Sequence, residues 1–102
     1  VRLSQVAGEF LLSAEASDPD HPAHEYFVDR YRGTVADIAA SLTRAKASGL
    51  LARSVDPAGQ ARTLVALMDG LQVQWLLSPA DVDMAGTLRA QIERVLTVPL
   101  PG

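Results

Sequence analysis

The residues most capable of chemistry lie close together near position 20. His21, His24 and Glu25 form the pattern His-x-x-His-Glu, and Asp18 and Asp20 precede them. Imidazoles three residues apart share one face of a helix, and carboxylates would complete the shell of a divalent metal. The same residues suit the start of a helix, where Asp and His cap unpaired amides and carboxylates favour the positive end of the dipole. We interpret the segment as a helix start and predict no metal site.

A second group of candidate residues is basic. Basic residues on long helices clamp a dicarboxylate in small all-α chorismate mutases, and this chain carries Arg30, Arg32, Arg44 and Lys46 on one predicted helix. Arg30 and Arg44 lie opposite the apolar stripe of that helix among acidic residues, which favours a solvated, salt-bridged face. The sequence contains no Gly-rich phosphate loop, H-E-x-x-H pattern or Ser-His-Asp arrangement. We predict no catalytic residue, no cofactor and no enzymatic activity.

Three polar residues interrupt the most apolar stretch of the chain: Asp69, Gln72 and Gln74. Buried amides must be hydrogen-bonded, so these side chains could bond across a subunit interface or orient a ligand in an apolar cavity. Alternatively, Asp69 and Gln72 face water on a narrow polar sector. These three interpretations remain open at the level of sequence.

Aromatic and sulfur-containing side chains on three predicted helices could fill a core or line a pocket. The ligand-binding prediction takes the apolar lining to be Phe10, Tyr31, Met68, Leu71 and Trp75, with Thr34 and Gln72 as further polar contacts beside Tyr31. The expected ligand is a small apolar or amphipathic molecule. The alternative is that these side chains form an ordinary solid core.

Helical periodicity and stop signals place these residues on four main helices. The first covers Val1–Ser17, the second runs from Asp20 or His21 to a left-handed cap at Gly49, the central helix covers Asp56–Ser78, and the last runs from Asp83 to Leu96 after a short turn at Pro79–Val82. Ser78 with Asp81 has the spacing of a capping box. Because no stretch alternates with period two, we predict an all-α bundle and a single domain over residues 1–102.

The central helix organises the chain because it is apolar nearly all round. It opens with Asp56-Pro57, a cap followed by a first-turn proline. One stripe contains Ala61, Leu64, Met68, Leu71 and Trp75, and a second contains Thr63, Ala66, Gly70, Val73 and Leu77. Two apolar stripes need cover on two sides, so we predict a homodimer through the central and last helices. The predicted interface residues are Ala66, Gly70, Val73, Leu77, Met84, Leu88, Ile92 and Val95.

Composition limits the possible partners. Net charge is −3 with a pI of about 5.2, so this chain lacks the basic excess of a nucleic-acid surface, and we expect no DNA binding by these residues. There is no cysteine, and the apolar run of the central helix is shorter than a membrane span, which needs about 20 residues. We expect a piece of a longer cytoplasmic protein, without membrane partners.

The overall pattern resembles the C-terminal regulatory domain of TetR-family bacterial transcription regulators. The resemblance rests on HPAHEYFVDRYRGTVADIAASLTRAKASG, a short link, and DPAGQARTLVALMDGLQVQWLLSPADVDMAGTLRAQIERVL. It implies an effector-binding domain whose last two helices pack against those of a second copy as a dimeric four-helix bundle. Its ligand would control DNA binding by an N-terminal helix-turn-helix domain absent from this chain. The family has no shared ligand motif, so no pocket residue carries over. The alternative function is a stand-alone helical protein–protein interaction module.

Overall fold

The computed structural model describes residues 14–101, and within that range the chain is all-helical, as the sequence predicts. Its helices are α1 (His24–Ala47), α2 (Pro57–Leu77), a 3-10 helix (Pro79–Asp81) and α3 (Met84–Val95). The predicted count of four main helices is not confirmed, because the first predicted helix lies largely outside the described residues. The chain divides into two compact units, Val1–Thr34 and Val35–Gly102, with the boundary inside α1.

Turns precede α1 in the first unit. The backbone amide of His21 donates to the carbonyl of Asp18 at 2.9 Å, and that of His24 donates to the carbonyl of His21 at 3.0 Å. The helix therefore begins at His24, one turn later than predicted. Pro22 is the physical reason, since a proline disfavours the helical conformation in the residue before it.

The end of α1 matches its prediction. Gly49 has a φ of 76°, in the left-handed region that glycine tolerates best. The amide of Gly49 donates to the carbonyl of Lys46 at 3.0 Å, and that of Leu50 donates to the carbonyl of Ala45 at 2.9 Å. This pair of bonds is a Schellman motif, which satisfies the last carbonyls of the helix.

The predicted start and end of α2 are confirmed. Asp56 is the N-cap, and its carboxylate accepts a hydrogen bond from the amide of Gly59 at 3.1 Å. Pro57 occupies the first turn, and Ser78 is the C-cap. In the described part of the chain, no helix is long and apolar enough to cross a membrane.

The connection from α2 to α3 is a turn of 3-10 helix followed by a new cap. Asp83 caps α3 by accepting from the amide of Gly86 at 3.0 Å, as predicted. The predicted capping box at Ser78 does not form. The hydroxyl of Ser78 bonds to the carboxylate of Asp81, and no side chain caps the 3-10 helix.

The core of the second unit lies where α1, α2 and α3 meet. Its buried members are Leu42, Leu51, Ala61 and Leu64, and eight partly buried side chains from the three helices, the α1–α2 link and the segment after α3 pack against them. Leu51 forms an isolated antiparallel bridge with Leu96. The bridge fastens the link between α1 and α2 to the segment that follows α3.

Candidate ligand-binding and dimerisation surfaces

The two predicted stripes of α2 have different surroundings. The first contains Ala61, Leu64 and Leu71, which are buried, and Met68 and Trp75, which are half-buried. All members of the second stripe are exposed: Thr63, Ala66, Gly70, Val73 and Leu77. At about 100° per residue the centres of the two stripes lie about 160° apart, on opposite sides of the helix.

The exposed stripe extends one turn further than the sequence prediction. Gly59 is also exposed and continues the spacing of Thr63, Ala66, Gly70, Val73 and Leu77 toward the N-terminus. The predicted stripe began at Thr63 and therefore left Gly59 out. The helical period alone would have found it. We call these six residues the outer stripe.

The C-terminal end of the outer stripe is apolar and open to solvent. Leu77 is 81% exposed, and Val73 is 36% exposed. Leu76, which sequence analysis did not single out, is 39% exposed beside them. Full burial of one such side chain is worth about 1.5–3 kcal/mol, so this end has the most to gain from a covering partner.

The predicted interface residues on α3 fall into two groups. Ile92 and Val95 are partly buried and pack against the core of their own unit. Met84 and Leu88 are half-buried. No residue of α3 is fully buried, so the helix retains surface that a partner could cover.

The predicted ligand contacts on α2 share one face of that helix. Leu71 is buried, and Met68, Gln72 and Trp75 are half-buried. Their directions fall within an arc of about 100°. Leu71 is covered by the chain itself, whereas the half-buried Met68 and Trp75 offer apolar surface and Gln72 offers an amide. We call these four residues the inner ligand face.

The predicted ligand contacts outside α2 differ from one another in their exposure to solvent. Tyr31 is half-buried on α1, whereas Thr34 is exposed. The hydroxyl of Thr34 donates to the carbonyl of Arg30 at 3.0 Å, so it serves its own helix. Phe10 lies outside the described residues. The other polar residues of α2 also separate, with Asp69 half-buried and Gln74 exposed.

The histidine-rich segment forms local turns. Nδ1 of His21 accepts a hydrogen bond from the amide of Ala23 at 3.0 Å, and Nδ1 of His24 lies 2.7 Å from the carbonyl oxygen of Ala16. Asp18 accepts from the amide of Asp20 at 3.0 Å. Within residues 14–101, no group of three His, Cys, Asp or Glu side chains is placed to hold a metal ion.

Arg89 is a structural residue that the sequence did not reveal. Its Nη2 atom donates to the carbonyl oxygens of Leu100 at 3.1 Å and Pro101 at 2.6 Å. Its Nε atom lies 3.3 Å from Oε1 of Glu93. The acceptors at the chain end are backbone carbonyls, which every residue has, so no residue type could signal this contact.

The fold and a family comparison together identify the class of protein. The chain is a C-terminal regulatory domain of the TetR family of transcription regulators. Within that class it belongs to the C-terminal domain family of BetI-type transcriptional repressors, whose family model matches residues 8–97. Neither the curated proteins nor the solved structures contain a match to the chain.

Proposed function

We propose that this chain is the ligand-sensing and dimerisation domain of a TetR-like transcriptional regulator. The family assignment supports a regulatory role, and the outer stripe of α2 carries the dimerisation part of the proposal. Operator binding belongs to a helix-turn-helix domain N-terminal to these residues in the parent protein. The net charge of −3 agrees with a domain that does not itself hold DNA.

The outer stripe favours a second copy of the chain as its cover. It contains no charged side chain, and its middle positions, Ala66 and Gly70, allow two helices to approach closely. Homo-oligomers most often form two-fold dimers in which the same surface meets its own copy. An uncharged surface meets its copy without like-charge repulsion.

Both α2 and α3 must contribute to this dimer. From Gly59 to Leu77, α2 is about 28 Å long, so a strip about 10 Å wide covers about 280 Å². A stable interface buries about 800 Å² per partner. The remainder would have to come from α3, where Met84 and Leu88 are half-buried and Ala85 beside them is exposed.

The dimer is tested by comparing two arginine substitutions. Ala66→Arg places a long cation in the outer stripe, and Ala40→Arg places the same group at an exposed position of α1. Light scattering across a concentration series should show a dimer for the unmodified chain and Ala40→Arg, and a monomer for Ala66→Arg. Circular dichroism should show equal helix content in all three. An unmodified chain that stays monomeric would remove the dimerisation role.

The ligand part of the proposal rests on the inner ligand face. Its mixture of apolar side chains with one amide suits a small amphipathic molecule better than a strongly charged one. The anionic dye 1-anilinonaphthalene-8-sulfonate is a first probe, followed by a panel of hydrophobic metabolites. Trp75 is the only tryptophan, so its emission reports binding beside it.

A ligand at about 100 times its Kd should stabilise the fold by about 2.7 kcal/mol. This corresponds to a rise in Tm of about 10 °C or more for a domain of this size. Met68→Ala should reduce the rise, whereas Ala40→Arg should not. If no compound shifts either Tm or Trp75 emission, the sensing role is wrong, and a helical protein–protein interaction module becomes the better description.

A further inference from the structure

The sizes of the side chains along the outer stripe change from one end to the other. Gly59 at one end is the smallest possible residue and Leu77 at the other end is large and 81% exposed, whereas Thr63 and Val73 are close in size and Ala66 and Gly70 between them are small. The six positions advance on average by about 3.6 residues, which is the period of a straight α-helix. The stripe therefore runs straight along α2, with the smallest side chain at its N-terminal end and the largest at its C-terminal end.

This gradient distinguishes parallel from antiparallel pairing of two copies. Parallel pairing would place Leu77 against Leu77 of the second copy and Gly59 against its Gly59, so the two helices would diverge at one end. Antiparallel pairing places the large C-terminal side chain of each copy against the small N-terminal residue of the other, so the helices keep a constant separation. Interiors pack densely with few voids, so constant separation is strongly favoured.

We propose that α2 pairs with α2 of a second copy in an antiparallel arrangement. The two-fold axis crosses the outer stripe at the height of residue 68, midway between Ala66 and Gly70. This inference rests on the dimer of the proposed function and specifies its geometry. In this register Leu77 covers Gly59 of the second copy, Val73 covers Thr63, and Gly70 meets Ala66 at the point of closest approach. Two contacts of each kind form, as two-fold symmetry requires.

The spacing of the stripe selects this register among neighbouring ones. Positions 59, 63, 66, 70, 73 and 77 are symmetric about 68, so all six find a partner within the stripe. A shift by two turns leaves two positions of each copy uncovered and reduces the contact area. Since α2 alone supplies only about a third of the area that a stable interface needs, the register that uses the full length of the stripe is preferred.

Cysteine cross-linking tests the register directly, because the chain has no cysteine of its own. In the proposed register positions 66 and 70 of opposite copies lie at the same height. Two copies of position 66 are offset by about 6 Å along the axis, in addition to the gap between helices. Disulfides need Cα atoms closer than about 7 Å. A mixture of Ala66→Cys and Gly70→Cys chains should therefore form a mixed disulfide dimer, and each variant alone should cross-link poorly.

Controls separate the register from dimerisation as such. Thr63→Cys mixed with Val73→Cys provides a second pair, and Ala40→Cys on α1 reports random collisions. Efficient self-linking of Leu77→Cys would show parallel pairing and overturn the proposal, as would self-linking of Gly70→Cys. A dimer by light scattering without mixed disulfides would refute the register and leave the dimer intact. A monomer would refute both.

A charge pair provides a test without disulfides. Thr63→Glu and Val73→Lys should each weaken dimerisation by about tenfold or more, because each buries an unpaired charge. Mixing the two variants should restore a heterodimer, since the introduced glutamate then faces the introduced lysine once and the native threonine–valine pair forms once. Parallel pairing would instead oppose the glutamate to threonine and the lysine to valine. A mixture that stays monomeric beside a dimeric unmodified chain would therefore refute the register.

Discussion

Substitution of Gly70 by glutamine should change stability and dimerisation in opposite directions. A Cβ atom built at Gly70 meets no other atom within 4 Å, and the same is true at Gly33 on α1. Both glycines lie inside helices and are exposed. Replacing either one by a good helix former should stabilise a monomer by about 0.5 kcal/mol. The expected rise in Tm is about 2–4 °C for each variant.

The dimer responds differently at the two positions. In the proposed interface Gly70 lies at the closest approach of the two helices, so the longer side chain over-packs the contact and buries an amide. Over-packing costs about 1–3 kcal/mol per site. Two sites per dimer at the lower limit give about 2 kcal/mol, which raises the dimer Kd by about 30-fold. Gly33→Gln should leave that Kd unchanged.

Two measurements separate these effects. Thermal melts at a concentration far below the dimer Kd should show both variants slightly more stable than the unmodified chain. Sedimentation equilibrium over a wide concentration range should show weaker association for Gly70→Gln alone. If Gly70→Gln dimerises as tightly as Gly33→Gln, Gly70 does not lie at the helix contact, and the assignment of the outer stripe is refuted.

Three further substitutions test the fold itself. Gly49→Ala should lower stability by about 1–2 kcal/mol, because alanine is strained at a φ of 76°, and urea unfolding would show it. Gly86→Ala should gain little of the usual helix benefit, since the new Cβ would collide with Oδ2 of Asp83 and displace the cap; in an Asp83→Ala background the same change should instead stabilise. Leu51→Ala should cost about 2–5 kcal/mol by calorimetry, because Leu51 is only 3% exposed in the core.

Sequence reasoning succeeded where a residue type has a local physical meaning. Asp56 and Pro57 define the start of α2 because capping and a missing amide donor are properties of those residues alone. Gly49 defines the end of α1 for a similar reason, since its left-handed φ needs no distant contact. The all-α class followed from the helical periodicity of the apolar residues.

Sequence reasoning was less successful where distant parts of the chain decide the outcome. The start of α1 was placed one turn too early for a local reason, because Pro22 was assigned to the first turn although it disfavours the helical conformation of His21 before it. The neighbours of Ile92 and Val95 within the chain were also missed: both pack on the core of their own unit, besides the interface role predicted for them. A helical period gives the faces of a helix without naming the neighbour that each face meets.

The contrast between the two faces of α2 explains why one helix supports both proposed roles. Both sides of α2 carry mainly apolar or small side chains, yet only the inner side is covered by the chain itself. If the inner ligand face contacts an effector, any rotation or shift of α2 that improves that contact also moves the outer stripe, because both belong to one hydrogen-bonded backbone. The coupling is reciprocal, so dimerisation must alter effector affinity by the same factor by which the effector alters dimerisation. A helix that was polar on its outer side could bind a ligand but would have no interface through which to transmit the binding.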